Sequence, residues 1–231
     1  MKDLASKIWI RITGVLSFTG ICLGTPADGA LRKPANPVLL VHGIHDSAAS
    51  MRVMGQWLKR RGWEVYDLSL TPNDGKAPLE ELAGQVDAFV STTFLRGRKF
   101  DIVAFSMGGI VCRYYLQRMS GVRRVDRFVQ ISSPNHGTWM ASLISHPGCV
   151  QMRRRSQFLE NLNADLLELT QVQFTTIWTP FDLMILPARS SVMPIGRNVR
   201  VWVLAHPLMV LQPAVFRLIA DALGQKLQSD P

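Results

Sequence analysis

Ser106 stands in the stretch of this chain with the plainest chemical meaning, Ala104-Phe105-Ser106-Met107-Gly108, with Gly109 directly after it. An apolar run, Ile102 to Phe105, precedes the serine, and a helical pattern from Met107 to about Ser120 follows. A serine forced through a tight strand-to-helix turn takes a strained backbone conformation, and the residues two before and two after it must be small because strand and helix nearly touch. Ala104 and Gly108 meet that demand. The turn lifts the Ser106 hydroxyl above a sheet as a nucleophile and sets the Met107 N–H at a helix start, where it can donate to a developing oxyanion. His42-Gly43-Ile44 offers the second donor, since Gly43 lets the chain turn so that the Ile44 N–H faces the serine. An ordinary glycine-rich turn would carry the same pentapeptide, so the residues around it decide.

A hydroxyl nucleophile needs a base, and the chain holds five histidines, at 42, 45, 136, 146 and 206. In an open parallel sheet the site lies beyond the carboxyl ends of the strands, so the base and the acid that orients it should follow later strands. His206 follows the apolar run Val199–Leu204, and Asp182 follows Thr176–Trp178 and Pro180-Phe181. The order Ser106, Asp182, His206 is the chain order of a strand–turn–helix serine site. His136, in Ser133-Pro134-Asn135-His136-Gly137-Thr138, also lies past a strand end; we read it as a loop brace, because the acid should precede the base. His42 reads as structural, and Asp165 and Asp221 as solvated.

The elements that must position these groups alternate. Val38–Val41 is apolar on four consecutive positions, as a strand covered on both faces must be. Ser47 can cap a helix carrying Met51, Met54, Trp57 and Leu58, and Gly62 stops it. Val65–Leu68 reads as a strand. Leu79, Leu82, Val86, Phe89 and Val90 form a helical stripe, and Ile102–Phe105 is a strand. After the Met107 helix come strands at Phe128–Ile131, Thr176–Trp178 and Val199–Leu204, then a helix from Pro213 to about Leu227. We expect one α/β domain over residues 28–231, with a mostly parallel sheet of about six strands and helices on both faces. The segment 139–174 is a candidate cap over an acyl pocket; a plain crossover packed on the sheet explains its leucines equally well.

Composition limits the alternatives. At 231 residues, with 47% hydrophobic and 19% charged residues, the chain can bury a large core. A net charge of +9 invites an anionic partner. Its basic residues fall in short separate groups without aromatic interleaving, which argues for a solvated surface and against nucleic acid. Three cysteines without C-x-x-C spacing give no zinc or redox signature, so neither a metal nor a cofactor is expected. Cys112 and Cys149 read as two buried thiols, with a disulfide as the other choice. Residues 1–27 have a secretory layout: Lys2, Lys7 and Arg11 precede an uncharged run of 16 residues from Ile12 to Ala27. That run is short of the roughly 20 residues of a spanning helix, which favours a cleaved signal and export over a retained anchor. Cleavage after Ala27 would leave +7.

Together, Val41–Asp46, Ala104–Gly109, Ser133–Thr138, Trp178–Asp182 and His206 resemble the α/β-hydrolase fold, and within it the small bacterial triacylglycerol lipases and related esterases. The likeness runs from about Pro37 to Leu223. It implies Ser106 as nucleophile, Asp182 and His206 as its partners, and the Ile44 and Met107 backbone as oxyanion hole. Two departures stand out: Ala104 replaces the usual first elbow glycine, and Phe105 occupies a place often held by histidine. The expected activity is carboxylic ester hydrolysis through an acyl-enzyme, with an ester or lipid substrate and an anionic membrane or lipid interface as a candidate partner. An acyltransferase with the same triad, or a non-catalytic membrane-associated binding protein, are the alternatives.

Overall fold

The computed structural model describes residues 36–225. The first strand of its sheet, β1 (Val38–Val41), is fully buried on both faces. Beside it lie β2 (Val65–Leu68) on one side and β3 (Phe100–Phe105) on the other, followed outward by β4 (Val125–Ile131), β5 (Gln173–Trp178) and β6 (Arg197–Arg200). All five pairings in this six-stranded sheet are parallel.

Strand periodicity splits the core in two. Leu39, Val41, Ile102 and Ala104 face a cluster with α2 (Leu79–Thr93) and α3 (Met107–Arg118), while Val38, Leu40, Val103 and Phe105 face α1 (Arg52–Lys59) and α6 (Pro213–Gly224). The sheet is thus covered on both faces, as its uninterrupted apolar strands require. Ser47 caps a 3-10 turn, Ala48–Met51, by accepting from the Ala49 N–H at 3.3 Å, and this turn leads into α1. Gly62, at φ 95°, takes the left-handed conformation that ends it.

One expectation needs correction. The sixth strand spans Arg197–Arg200, earlier than the Val199–Leu204 read from alternation. Beyond it only the Val201 N–H to Trp178 O bond, 2.9 Å, continues the ladder, and the chain leaves the sheet with Val201 and Val203 still pointing inward. The segment after Thr138 has two parts. Leu159, Leu162 and Leu169, from α5 (Gln157–Ala164) and the 3-10 turn after it, are buried in the core beside α3, as a packed crossover would be. Its first part, 139–152, which includes α4 (Pro147–Gln151), is what reaches the serine.

Residues 1–27 and the end of the expected last helix lie outside the described residues. Among the described residues no helix is long and apolar enough to cross a membrane. Cys112 and Cys149 are free, buried thiols.

Candidate active site

β3 ends at Phe105 and α3 begins at Met107, so Ser106 alone makes the turn. Its backbone sits at φ 54°, ψ −124°, a region that costs a non-glycine residue about 1–3 kcal/mol. The surroundings hold it there: the Ser106 N–H donates to Ile131 O at 2.9 Å, and its carbonyl accepts from the Gly109 N–H at 3.0 Å. Small residues are required by contact. A Cβ on Gly108 would lie 2.3 Å from His42 O and 2.9 Å from Val41 O, and one on Gly43 would lie 2.9 Å from Ser106 Cβ. Because the Gly108 obstruction is backbone at the end of β1, no rotamer change relieves it. Gly108→Ala is therefore expected to cost about 3 kcal/mol or more of stability, read as a lowered urea midpoint.

Asp182 and His206 come from different loops beyond β5 and β6. His206 Nδ1 donates to Asp182 Oδ2 at 2.7 Å, with both side chains buried. The other carboxylate oxygen, Oδ1, accepts from the backbone N–H groups of Met184 at 3.0 Å and Ile185 at 2.9 Å. Burial pushes the Asp182 carboxyl up, but the neighbouring imidazole and these donors outweigh it and hold the acid below its ordinary value. The imidazole lies over Phe105, with ring centroids 4.6 Å apart at 33°. The residue unusual at the elbow thus forms the floor on which the histidine rests.

Ser106 and His206 line one cavity of about 220 Å³, whose walls are mostly apolar: Ile44, Ala49, Val53, Met184, Val210 and Leu211 among them. Among the described residues no hydrogen bond joins the Ser106 hydroxyl to the imidazole; such bonds commonly tighten only with substrate in place. Ile44 is buried on this wall, and the Met107 N–H heads a helix, where it has no intrahelical acceptor. A second, much tighter apolar cleft on the far side of Ser106 is bounded by Ala141, Ile144, Cys149 and Met152.

His42 is structural. Its Nε2 accepts from the Leu70 N–H at 2.9 Å, which leaves Nδ1 as the donor to Gly43 O at 2.7 Å, and burial lowers its pKa. His136 braces a loop through Val192 O at 3.1 Å. Asp165 and Asp221 pair at the surface with Arg118 and Arg197.

Sequence reasoning missed two features. Asp46 is the one carboxylate of the larger cavity's wall. Burial, against the pull of His206 and a hydrogen bond from Ser50, pushes its carboxyl up to about 6. With the folded pKa above the ordinary value, this group's contribution to stability is greatest below about pH 4 and is lost as pH rises through 6. Asp46→Asn is expected to stabilise the protein at pH 7.5 by about 1–2 kcal/mol, discounted for partial exposure, and to change nothing below pH 4. Urea titrations at both pH values check the sign. Only its place two residues after Ile44 could have signalled this.

The second feature is Arg113 on α3, a fully buried guanidinium that donates to Asn135 Oδ1 at 3.1 Å, Asn163 Oδ1 at 2.9 Å and Leu162 O at 3.2 Å. Asn135 in turn donates to Gln130 Oε1 at 2.9 Å and Ser191 O at 2.8 Å. The Ser133–Thr138 block is therefore organised around Asn135 as well as His136. Among the described residues no group of three or more His, Cys, Asp or Glu side chains could hold a metal ion.

A parallel sheet with helices on both faces, a strained serine at the β3–α3 turn and this connectivity define an α/β-hydrolase fold. Solved structures agree. The chain superposes on Aspergillus fumigatus lipase B with a TM-score of 0.72 and 21% identity, covering 90% of this chain and 57% of that one. With a mature Bacillus licheniformis lipase the TM-score is 0.66 at 16% identity, covering 87% and 96%. The palmitoyl protein thioesterase family model matches residues 37–181, more than half of the chain, and the chain belongs to that family. Lysosomal thioesterase PPT2 of Mus musculus is 31% identical over 117 residues, covering 49% of this chain and 38% of its own length. The chain spans about two fifths or less of the curated relatives it matches.

Proposed function

We propose that this protein is a serine hydrolase that cleaves carboxylic esters or acyl thioesters through an acyl-enzyme. The observation that carries this reading is one cavity that holds both the strained Ser106 and an imidazole whose Nδ1 is already committed to Asp182. With Nδ1 donating to Asp182, Nε2 is the basic nitrogen. It takes the Ser106 proton as the oxygen attacks the acyl carbon, and the Ile44 and Met107 N–H groups receive the charge on the tetrahedral oxygen. The imidazolium then gives its proton to the departing alcohol or thiol, and water repeats the sequence on the acyl-serine.

Thioesters enter through the family and through the thioesterase names of the relatives. The chemistry accommodates both leaving groups, since a thiolate of pKa near 8.5 needs less help from the acid than an alkoxide does. The basic, apolar N-terminus and the lysosomal naming of the relatives support export into a secretory or periplasmic compartment.

A fluorophosphonate should label the chain once, at Ser106, and the label should be blocked by prior incubation with a slowly turned-over ester. Labelling elsewhere, or none at all in folded protein, would overturn the assignment. Rates on matched acyl thioesters and oxygen esters then set the leaving-group preference.

A further inference from the structure

Several large apolar side chains are exposed together at the rim of the site. Phe181 and Leu183 after β5, Trp202 and Leu204 after β6, and Trp139 and Leu143 of the inserted segment are between 42% and 74% exposed. They belong together. Phe181 and Trp202 rings are 5.6 Å apart, and Thr179 Oγ1 donates to Val203 O at 2.6 Å, which joins the two loops that carry Asp182 and His206. The Trp139 N–H donates to Leu186 O at 3.0 Å, which ties the insert to the same rim. Six large apolar side chains on adjoining loops exceed the scattered singles a soluble surface carries without reason.

Each exposed tryptophan also carries a cation. The Arg200 guanidinium lies 5.0 Å from the Trp202 ring centre, and that of Arg154 lies 4.9 Å from the Trp139 ring centre. Aromatic interleaving of basic residues, absent along the sequence, is thus created in space by the fold. Indole rings sit well at the boundary between hydrocarbon and headgroup, and guanidinium forks match phosphate. The chain as a whole is +9.

We propose that this rim docks the protein on an anionic phospholipid surface, with Trp139, Leu183, Trp202 and Leu204 seated among the acyl chains and Arg154 and Arg200 on the phosphates. The mouth of the Ser106 cavity then opens against the lipid. At about 220 Å³ that cavity is smaller than the roughly 300–1,000 Å³ of sites that engulf a drug-sized ligand, so a long acyl chain must continue over the apolar rim. The last step rests on the proposed acyl hydrolysis; the docking itself does not.

Flotation of the full chain, as such and as Ser106→Ala, with vesicles of phosphatidylcholine alone or mixed with phosphatidylserine tests this. Binding is expected to favour the mixed vesicles about tenfold or more and to weaken with salt. Leu183→Ser with Trp202→Ser should weaken binding at least tenfold, and Arg154→Gln and Arg200→Gln about fivefold each. Neither pair lines the cavity, so hydrolysis of a short soluble ester should stay at the parent rate, which also reports folding. Should the first pair fold poorly, Trp139→Ser with Leu143→Ser must show the same loss. Undiminished binding by the apolar variants, no binding by the parent, or a parent dimer that these substitutions make monomeric would each overturn the proposal. Loss of docking with soluble hydrolysis intact leaves the acyl-transfer chemistry standing, and docking by an inactive chain does the reverse.

Discussion

Ser106→Ala is expected to lower kcat/KM for a soluble ester by at least about four orders of magnitude while changing the unfolding free energy from urea titration by less than about 0.5 kcal/mol. The two halves of this expectation have separate causes. Folding loses only a hydroxyl: alanine has a Cβ like serine, tolerates the same φ of 54° about as badly, and leaves the backbone bonds to Ile131 and Gly109 in place. On the proposed mechanism, chemistry loses the atom that forms the acyl bond, and the oxyanion donors cannot act without an attacking group. A variant that kept hydrolysis within about tenfold of the parent would mean that the Asp182–His206 pair activates water directly. Steady-state rates on a p-nitrophenyl ester, together with fluorophosphonate labelling of the same preparations, separate the two mechanisms.

The parts legible in the sequence are those fixed by local geometry. β1 and β3 are continuous apolar runs because both faces of the sheet are covered, and the elbow is written in Gly108 because a Cβ there meets the His42 and Val41 carbonyls. Asp182 and His206 could be placed by order along the chain, since a parallel sheet delivers successive loops to one edge. What stayed hidden depends on packing between distant segments. Trp202 and Leu204 alternate with Val201 and Val203 just as in a strand, yet no partner strand pairs with that backbone beyond Val201. A spacing argument cannot see that Arg113 would be sealed in by Asn135 and Asn163, or that Asp46 would share a wall with His206, because each needs two loops folded together. Nor did the basic residues show their aromatic partners until the fold stacked Arg154 on Trp139.

Asp182→Asn should be the more informative loss: kcat falls by about four orders of magnitude with the fold intact, and the reason lies in which oxygen is committed. Oδ1 of Asp182 accepts from the Met184 and Ile185 N–H groups, and only Oδ2 meets the imidazole. An asparagine must keep its carbonyl oxygen on those two backbone donors, since its NH₂ there would face N–H against N–H. Its NH₂ is then forced toward His206 Nδ1. The ring must accept that bond, so the proton moves to Nε2, and the nitrogen proposed as the base becomes a donor that cannot remove a proton. The expected signature is a normal urea midpoint, a near-normal KM, a collapsed kcat and recovery of rate as pH rises and hydroxide substitutes for the missing base. An Asp182→Asn protein that kept the parent kcat would show that His206 is oriented by something other than this carboxylate.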